Sequence, residues 1–131
     1  MSFSLNQIQS AHAKVKSGAD FPRYIQNLIQ LGLKSYETFV SDGHSVYFGE
    51  ADFTLRSDSK YPSLSISDQS DSEKFKHYLK IHQLGETDYR TFCNHAAECG
   101  VEKWIIDTTA MTCVYYDKAG NELIKETIPA L

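Results

Sequence analysis

The sequence predicts an α+β fold, an antiparallel sheet of five or six strands with four helices on one face or at its ends. Three observations carry this. Four segments place apolar residues at helical spacing, and each is closed by a glycine: Gly18, Gly32, Gly85 and Gly100. After each pair of such segments the pattern changes to period two, in short runs rich in β-branched and aromatic residues. Turn residues such as Asp42-Gly43 separate these runs, as between the strands of hairpins.

Ser4 and Gln7 form an S-x-x-Q capping pattern, in which the hydroxyl accepts from the first helical turn and the amide reaches back. Leu5, Ile8, Ala11 and Val15 continue it at helical spacing as far as Gly18. A second helix starts near Pro22, whose missing N–H costs nothing in a first turn, with Asp20 or Phe21 before it. Tyr24, Ile25, Leu28, Ile29 and Leu31 give it an apolar face, and Gly32 stops it. Residues 34–40 and 45–48 read as strands around Asp42-Gly43, both of which tolerate positive φ, and 53–56 as a third strand. The stretch 57–72 is rich in Ser and Asp, but Leu64 and Ile66 alternate with serines as in a short strand. Ser70 to Glu73 offers an S-x-x-E box ahead of Phe75, Tyr78, Leu79 and His82, a face closed by Gly85. The fourth helix spans about 88–99, with Thr87 as its cap. Residues 101–107, 110–116 and 122–128 are three closing strands, the last two joined by a turn over 118–121.

The halves resemble each other at a constant offset of 68: Asp20 with Asp88, Gly32 with Gly100, Val46-Tyr47 with Val114-Tyr115, and Leu55 with Leu123. Aromatics follow the same offset: Phe21 with Tyr89, Tyr24 with Phe92, Tyr36 with Trp104, and Phe48 with Tyr116. The expectation is one domain over 1–131, with pseudo-repeats 5–56 and 73–124 of a helix–helix–hairpin unit.

Composition narrows the function. With 131 residues, 41% apolar and 23% charged, the chain suits one globular domain that needs no disulfide or metal to fold. Its net charge is −4 and its Lys and Arg are not clustered, which argues against a nucleic-acid partner. Cys93, Cys99 and Cys113 are odd in number and form no C-x-x-C pair, so reduced thiols, rather than a disulfide framework or a zinc knuckle, are expected. The N-terminal residues lack the basic and apolar regions of a signal peptide, and no apolar run is long enough for a membrane helix. The expectation is a cytoplasmic protein with no membrane partner.

From Gly85 onward the chain has a distinctive cadence: Gly85-Glu86-Thr87-Asp88-Tyr89, Phe92-Cys93, Ala96-Ala97-Glu98-Cys99-Gly100-Val101, Trp104, Asp107, Met111-Thr112-Cys113, Tyr115-Tyr116-Asp117, Gly120 and Ile128-Pro129. The opening adds Ile8, Ala11-His12, Val15-Lys16, Gly18-Ala19-Asp20-Phe21-Pro22 and Tyr24. In these residues the chain resembles the YbcV-like family of small bacterial and phage-associated proteins of unknown function. The resemblance covers nearly the whole chain, least clearly over 56–71. Some members carry the label "phage envelope protein", a role for which the sequence offers neither a membrane segment nor a coiled coil. The resemblance brings no catalytic residues.

The side chains that could carry chemistry are few. His95 and Cys99 lie four apart on a predicted helix, as in a zinc ligand pair or a thiolate–imidazolium couple; the structural reading is a buried thiol and a half-exposed imidazole. Cys113 and Tyr115 share one face of a strand, and a nucleophilic Cys113 would need a base that the sequence does not name. Asp107 ends a strand, where it suits a site or caps the turn through Thr108 and Thr109. His44, after the Asp-Gly turn, is expected to be exposed, and no cofactor motif is present.

Two functions follow. One is a non-enzymatic binding or interaction module, a homodimer in one version, that recognises a protein or small molecule through an aromatic cleft between the halves. Tyr47, Trp104 and Tyr116 are its candidate contacts. The other is a small enzyme or ligand-binding protein using His95, Asp107, Cys113 and Tyr115 around the second hairpin, with Tyr47 from the first half.

Overall fold

Ser4 begins the first helix as the capping pattern requires: its Oγ accepts from the Gln7 N–H at 3.2 Å, and Gln7 Oε1 accepts from the Ser4 N–H at 2.9 Å. The computed structural model describes residues 3–16 and 18–129. Helix α1 (Leu5–His12) is shorter than its periodicity, because the chain turns and the Lys16 N–H goes to the Asp20 carboxylate at 2.9 Å. A short 3-10 turn (Gly18–Asp20) leads into α2 (Phe21–Gln30), whose second residue is Pro22. Strands β1 (Leu33–Phe39), β2 (Ser45–Gly49) and β3 (Thr54–Arg56) follow. The second half runs α3 (Ser72–Gln83), α4 (Tyr89–Glu98), β4 (Val101–Asp107), β5 (Thr112–Asp117) and β6 (Glu122–Thr127).

Both helices of the second half start one residue later than their hydroxyl caps predict. Asp71, not Ser70, caps α3 by accepting from the Lys74 N–H at 3.0 Å, and Asp88, not Thr87, caps α4 by accepting from the Thr91 N–H at 2.7 Å. A carboxylate satisfies the same free N–H and adds its charge to the positive end of the helix. In the β1–β2 connection only Gly43, at φ 77°, takes positive φ; Asp42 instead accepts from the His44 backbone and imidazole. His44 is therefore half-buried rather than exposed, with its ring stacked on Phe39 at 4.6 Å.

Residues 57–71 form no strand. They strap the loops down: the Leu64 N–H donates to Ser41 O, the Ser67 N–H to Ala97 O and the Asp71 N–H to Cys99 O. Tyr61 anchors the strap, its buried hydroxyl donating to Val40 O at 2.5 Å and its ring lying under the Arg90 guanidinium at 4.8 Å.

The six strands form one antiparallel sheet in the order β3-β2-β1-β4-β5-β6. Tyr36 pairs with Tyr47 and Thr38 with Ser45 in the first hairpin. Sixty-eight residues later, Trp104 pairs with Tyr115 and Ile106 with Cys113 in the second. Each ladder has an irregularity after its first residue, at Leu33/Ser35 and at Val101/Lys103. At the centre Ser35 pairs with Asp107 and Phe39 with Lys103, two pairs that the offset exchanges. The outer edges differ, since only the β5–β6 ladder slips, between Tyr115 and Tyr116.

Strand alternation sorts the sheet into two faces. Tyr36, Tyr47, Trp104, Ile106, Cys113 and Tyr115 point to the buried, helix-bearing face. Phe39, Val46, Phe48, Ile105, Val114 and Tyr116 alternate to the other face and are half-buried. The core beneath the helices is centred on Ile25, Leu28, Phe75, Cys93 and Val101, all fully buried.

Candidate functional site

Between the helices and the inner face of the sheet lies a cavity of about 1020 Å³. Eight side chains in two rows across the four central strands make its floor. The first row is Tyr47, Tyr36, Ile106 and Cys113; the second is Ser45, Thr38, Trp104 and Tyr115. The aromatic pairs Tyr36/Tyr47 and Trp104/Tyr115 occupy opposite corners, with ring centroids 5.5 and 5.9 Å apart. The small pairs fill the other corners, and there the Thr38 and Ser45 hydroxyls bond to each other at 2.7 Å.

The helices supply the walls. Tyr24 of α2 and Phe92 of α4 face in from opposite sides, and Phe21 and Tyr89 stand at the starts of the same two helices. His12, at the end of α1, meets the edges of Tyr24 at 5.3 Å and Tyr89 at 6.2 Å. His82 of α3 stacks on Phe92 at 4.3 Å, and its Nδ1 lies 3.2 Å from the Thr87 carbonyl. Lys16, Lys60 and Asp88 lie exposed at the rim. Glu126 on β6 is half-buried and accepts from Gln83 Nε2 at 2.9 Å.

Desolvation sets the charge state of this interior. Burial pushes the phenols of Tyr24, Tyr36, Tyr47 and Tyr115 above their ordinary range, so they stay protonated and can both donate and accept. Their polar neighbours are one another and small groups: Tyr24 beside Tyr36, Tyr47 beside Ser45, Tyr115 beside Cys113. Burial lifts the Cys113 thiol to about 12, which leaves almost no thiolate to act as a nucleophile. Desolvation lowers both His12, with Lys60 adding to the effect, and His82, where the Thr87 carbonyl partly offsets it. The cavity thus offers aromatic faces and neutral hydroxyls. It can hold a largely apolar molecule and orient it by hydrogen bonds.

Of the residues singled out from the sequence, Tyr47, Trp104, Cys113 and Tyr115 line this cavity. His95, Asp107 and Tyr116 lie elsewhere. His95 stacks on Tyr78 at 3.7 Å, and its buried Nδ1 has no hydrogen-bond partner among the described residues. Asp107 accepts from the Thr109 and Ala110 N–H groups at 2.9 and 3.0 Å, the turn-capping arrangement. Tyr116 sits on the outer face with Lys103 Nζ 6.0 Å from its ring. Cys99 is buried at the end of α4, and desolvation lifts its thiol to about 11. Among the described residues no cluster of three or more His, Cys, Asp or Glu could hold a metal ion.

Sequence reasoning did not name His12, Tyr24, Tyr36, His82, Tyr89 or Phe92 as site residues. A signal for most of them was present. Of the aromatic pairs at the offset of 68, Phe21/Tyr89, Tyr24/Phe92, Tyr36/Trp104 and Tyr47/Tyr115 all line the cavity, and Phe48/Tyr116 alone lies on the outer face. No helix is long and apolar enough to cross a membrane among the described residues.

The model of a family described as "Protein of unknown function (DUF1398)" matches residues 9–127, and the chain belongs to that family. No curated protein matches the chain.

Proposed function

We propose that this member of the DUF1398 family is a small-molecule-binding module whose ligand lies between the helices and the sheet. The observation that carries the proposal is the cavity itself, about 1020 Å³ floored and walled by aromatic rings and neutral hydroxyls. Ligand pockets typically run from about 300 to 1,000 Å³, so this one has room for a drug-sized molecule.

The proposal takes the chain as one domain of two pseudo-repeats, 5–56 and 73–124, with the ligand where they meet. The matching ladders at an offset of 68 support this. It also carries the finer reading of a YbcV-like, phage-associated protein, which rests on the sequence cadence, and of a cytoplasmic one, which rests on the reduced thiols expected of its three cysteines. The enzyme alternative has less support, because Cys113 and Tyr115 share the cavity but His95 and Asp107 face other surroundings.

Native mass spectrometry of protein taken directly from cells tests the proposal together with a fragment screen read by fluorescence. Trp104 is the chain's single tryptophan and lies in the floor, so occupancy reports directly. We expect a retained ligand mass or a saturable Trp104 response, and we expect Thr38→Phe, which fills the floor, to abolish it while the protein stays folded. A bare mass with no saturable response from any fragment would overturn the proposal.

A further inference from the structure

The proposed binding role leaves the ligand's chemistry open, and the distribution of charge around the aromatic rings narrows it. Outside the cavity four aromatic rings carry one of the chain's own cations over a face. Lys74 lies 5.7 Å from the Tyr78 ring, Arg90 4.8 Å from Tyr61, and Lys103 5.8 and 6.0 Å from Phe39 and Tyr116. Among the described residues, no Lys or Arg covers a cavity ring in this way. Trp104 is nonetheless the centre of an aromatic box, with Phe92, Tyr115 and Tyr89 at 5.7, 5.9 and 6.4 Å. The faces of such rings carry negative electrostatic potential and attract a desolvated cation.

Among the described residues two carboxylates line this cavity: Asp88, exposed at the rim beside Tyr89, and Glu126, half-buried beside the floor. Glu126 sits opposite Cys113 in the β5–β6 ladder, on the inner face next to the floor, and Gln83 holds it in place at 2.9 Å. Burial raises Cys113 and Tyr115 most, Cys113 adds to the shift at Tyr115 while the Tyr115 hydrogen bond opposes it at Cys113, and Glu126 adds a smaller upward push to both, as a negative charge close to the floor would. The lysines that reach the cavity, Lys16 and Lys60, are exposed at its rim, where water screens them, and Lys60 acts there on the exposed His12. His82 is half-buried and desolvation lowers it, while His12 is exposed at the cavity's edge and is also lowered, so neither adds a buried cation. Among the described residues no Lys or Arg lies in the interior to neutralise an anion, and a buried unpaired anion is costly.

We infer that the ligand is a flat aromatic cation, a quaternary or ring-nitrogen cation, held against Trp104, Tyr115, Tyr89 and Phe92 and balanced by the Glu126 carboxylate. This rests on the binding role proposed above and assigns its ligand class.

Calorimetric titration of the full chain at neutral pH with three probes of one shape provides the test: N-methylquinolinium as cation, quinoline as neutral isostere and quinaldate as anion. The cation is expected to bind about tenfold tighter than quinoline, the scale of a desolvated cation–π contact, with quinaldate weakest. Glu126→Gln keeps an acceptor for Gln83 and removes the charge. It should weaken the cation several-fold and leave quinoline unchanged. Equal or tighter binding of quinoline or quinaldate overturns the cation inference while leaving a ligand-binding cavity in place. Binding by none of the three overturns the inference as well. The binding role itself is then decided by the Trp104 screen, which does not depend on ligand charge.

Discussion

Cys113 illustrates how a residue's surroundings decide its chemistry. Its place opposite Glu126 and beside Tyr115 invites a nucleophilic reading. Burial argues the other way, because a thiolate in an apolar floor loses its hydration and the thiol rises to about 12. At about pH 8 roughly one molecule in ten thousand would carry the thiolate, against a quarter or so for an ordinary cysteine. Iodoacetamide labelling of the folded protein, followed by peptide mass spectrometry, should therefore modify Cys113 at least about a hundredfold more slowly than in urea. Labelling at the unfolded rate would show an activated thiol and revive the enzyme reading. Neither the exposure nor the electrostatics of Cys113 was legible in the sequence. Its strand and face were, since period-two alternation put it with Tyr115. Asp107 was legible as a turn cap for the opposite reason: an Asx turn is written in adjacent residues and needs no partner from elsewhere in the chain.

At the scale of elements, what could be read from sequence tracks how local each signal is. Helical spacing, the S-x-x-Q cap and the closing glycines act within a turn or two, and all four helices are found in their expected segments. The misplaced details depend on competition. Asp71 and Asp88 displace the neighbouring hydroxyls as caps, and Leu64 and Ile66 spend their alternation on a strap rather than a strand, because the loops beneath take their backbone groups. Gly100 and Gly120 show the same contrast between local and tertiary demand. Both have positive φ, 83° and 86°. A Cβ at Gly100 would lie 2.9 Å from Gln69 O and Ser70 Cα, in the strap itself, whereas one at Gly120 meets nothing within 4 Å. Gly120→Ala should cost only the left-handed backbone penalty, about 1 kcal/mol. Gly100→Ala adds displacement of the strap and should cost about 3 kcal/mol in urea unfolding. Equal costs would mean that the strap yields freely and does not hold α4 to the sheet.

The whole molecule gathers residues from all four helices and five of the strands around one cavity, and this is the part that sequence conveys least. The offset of 68 already marked the aromatic pairs that converge there, but His12 and His82 carry no such mark, because the offset places Lys80 and Lys14 at their counterpart positions. Their convergence has a measurable consequence. Desolvation lowers both imidazoles in the folded chain, with Lys60 facing His12 and reinforcing the shift. At His82 the Thr87 carbonyl and Asp88 oppose the shift and His95 adds to it. The unfolded chain returns both to their ordinary value near 6.5. Below that pH the unfolded state binds protons that the folded state does not, so stability is complete above about pH 6.5 and falls as pH drops towards the folded values. The carboxylate whose depression is largest, Asp42, titrates in a separate range. Burial pushes it up, but hydrogen bonds from His44 and Ser59 outweigh that and hold it at about 2, so its contribution is lost only below the ordinary carboxylate range near 4. Urea unfolding at about pH 7.5 and about pH 5.5 should therefore show a lower midpoint at the acidic pH with an unchanged slope. The double variant His12→Gln, His82→Gln should start from a lower midpoint, having lost the ring stack on Phe92, and show little change between the two pH values. A wild-type midpoint that holds steady or rises on acidification would mean that the two imidazoles are as well solvated in the folded chain as in the unfolded one, and that the cavity between the helices and the sheet is open to water rather than poised for an organic ligand.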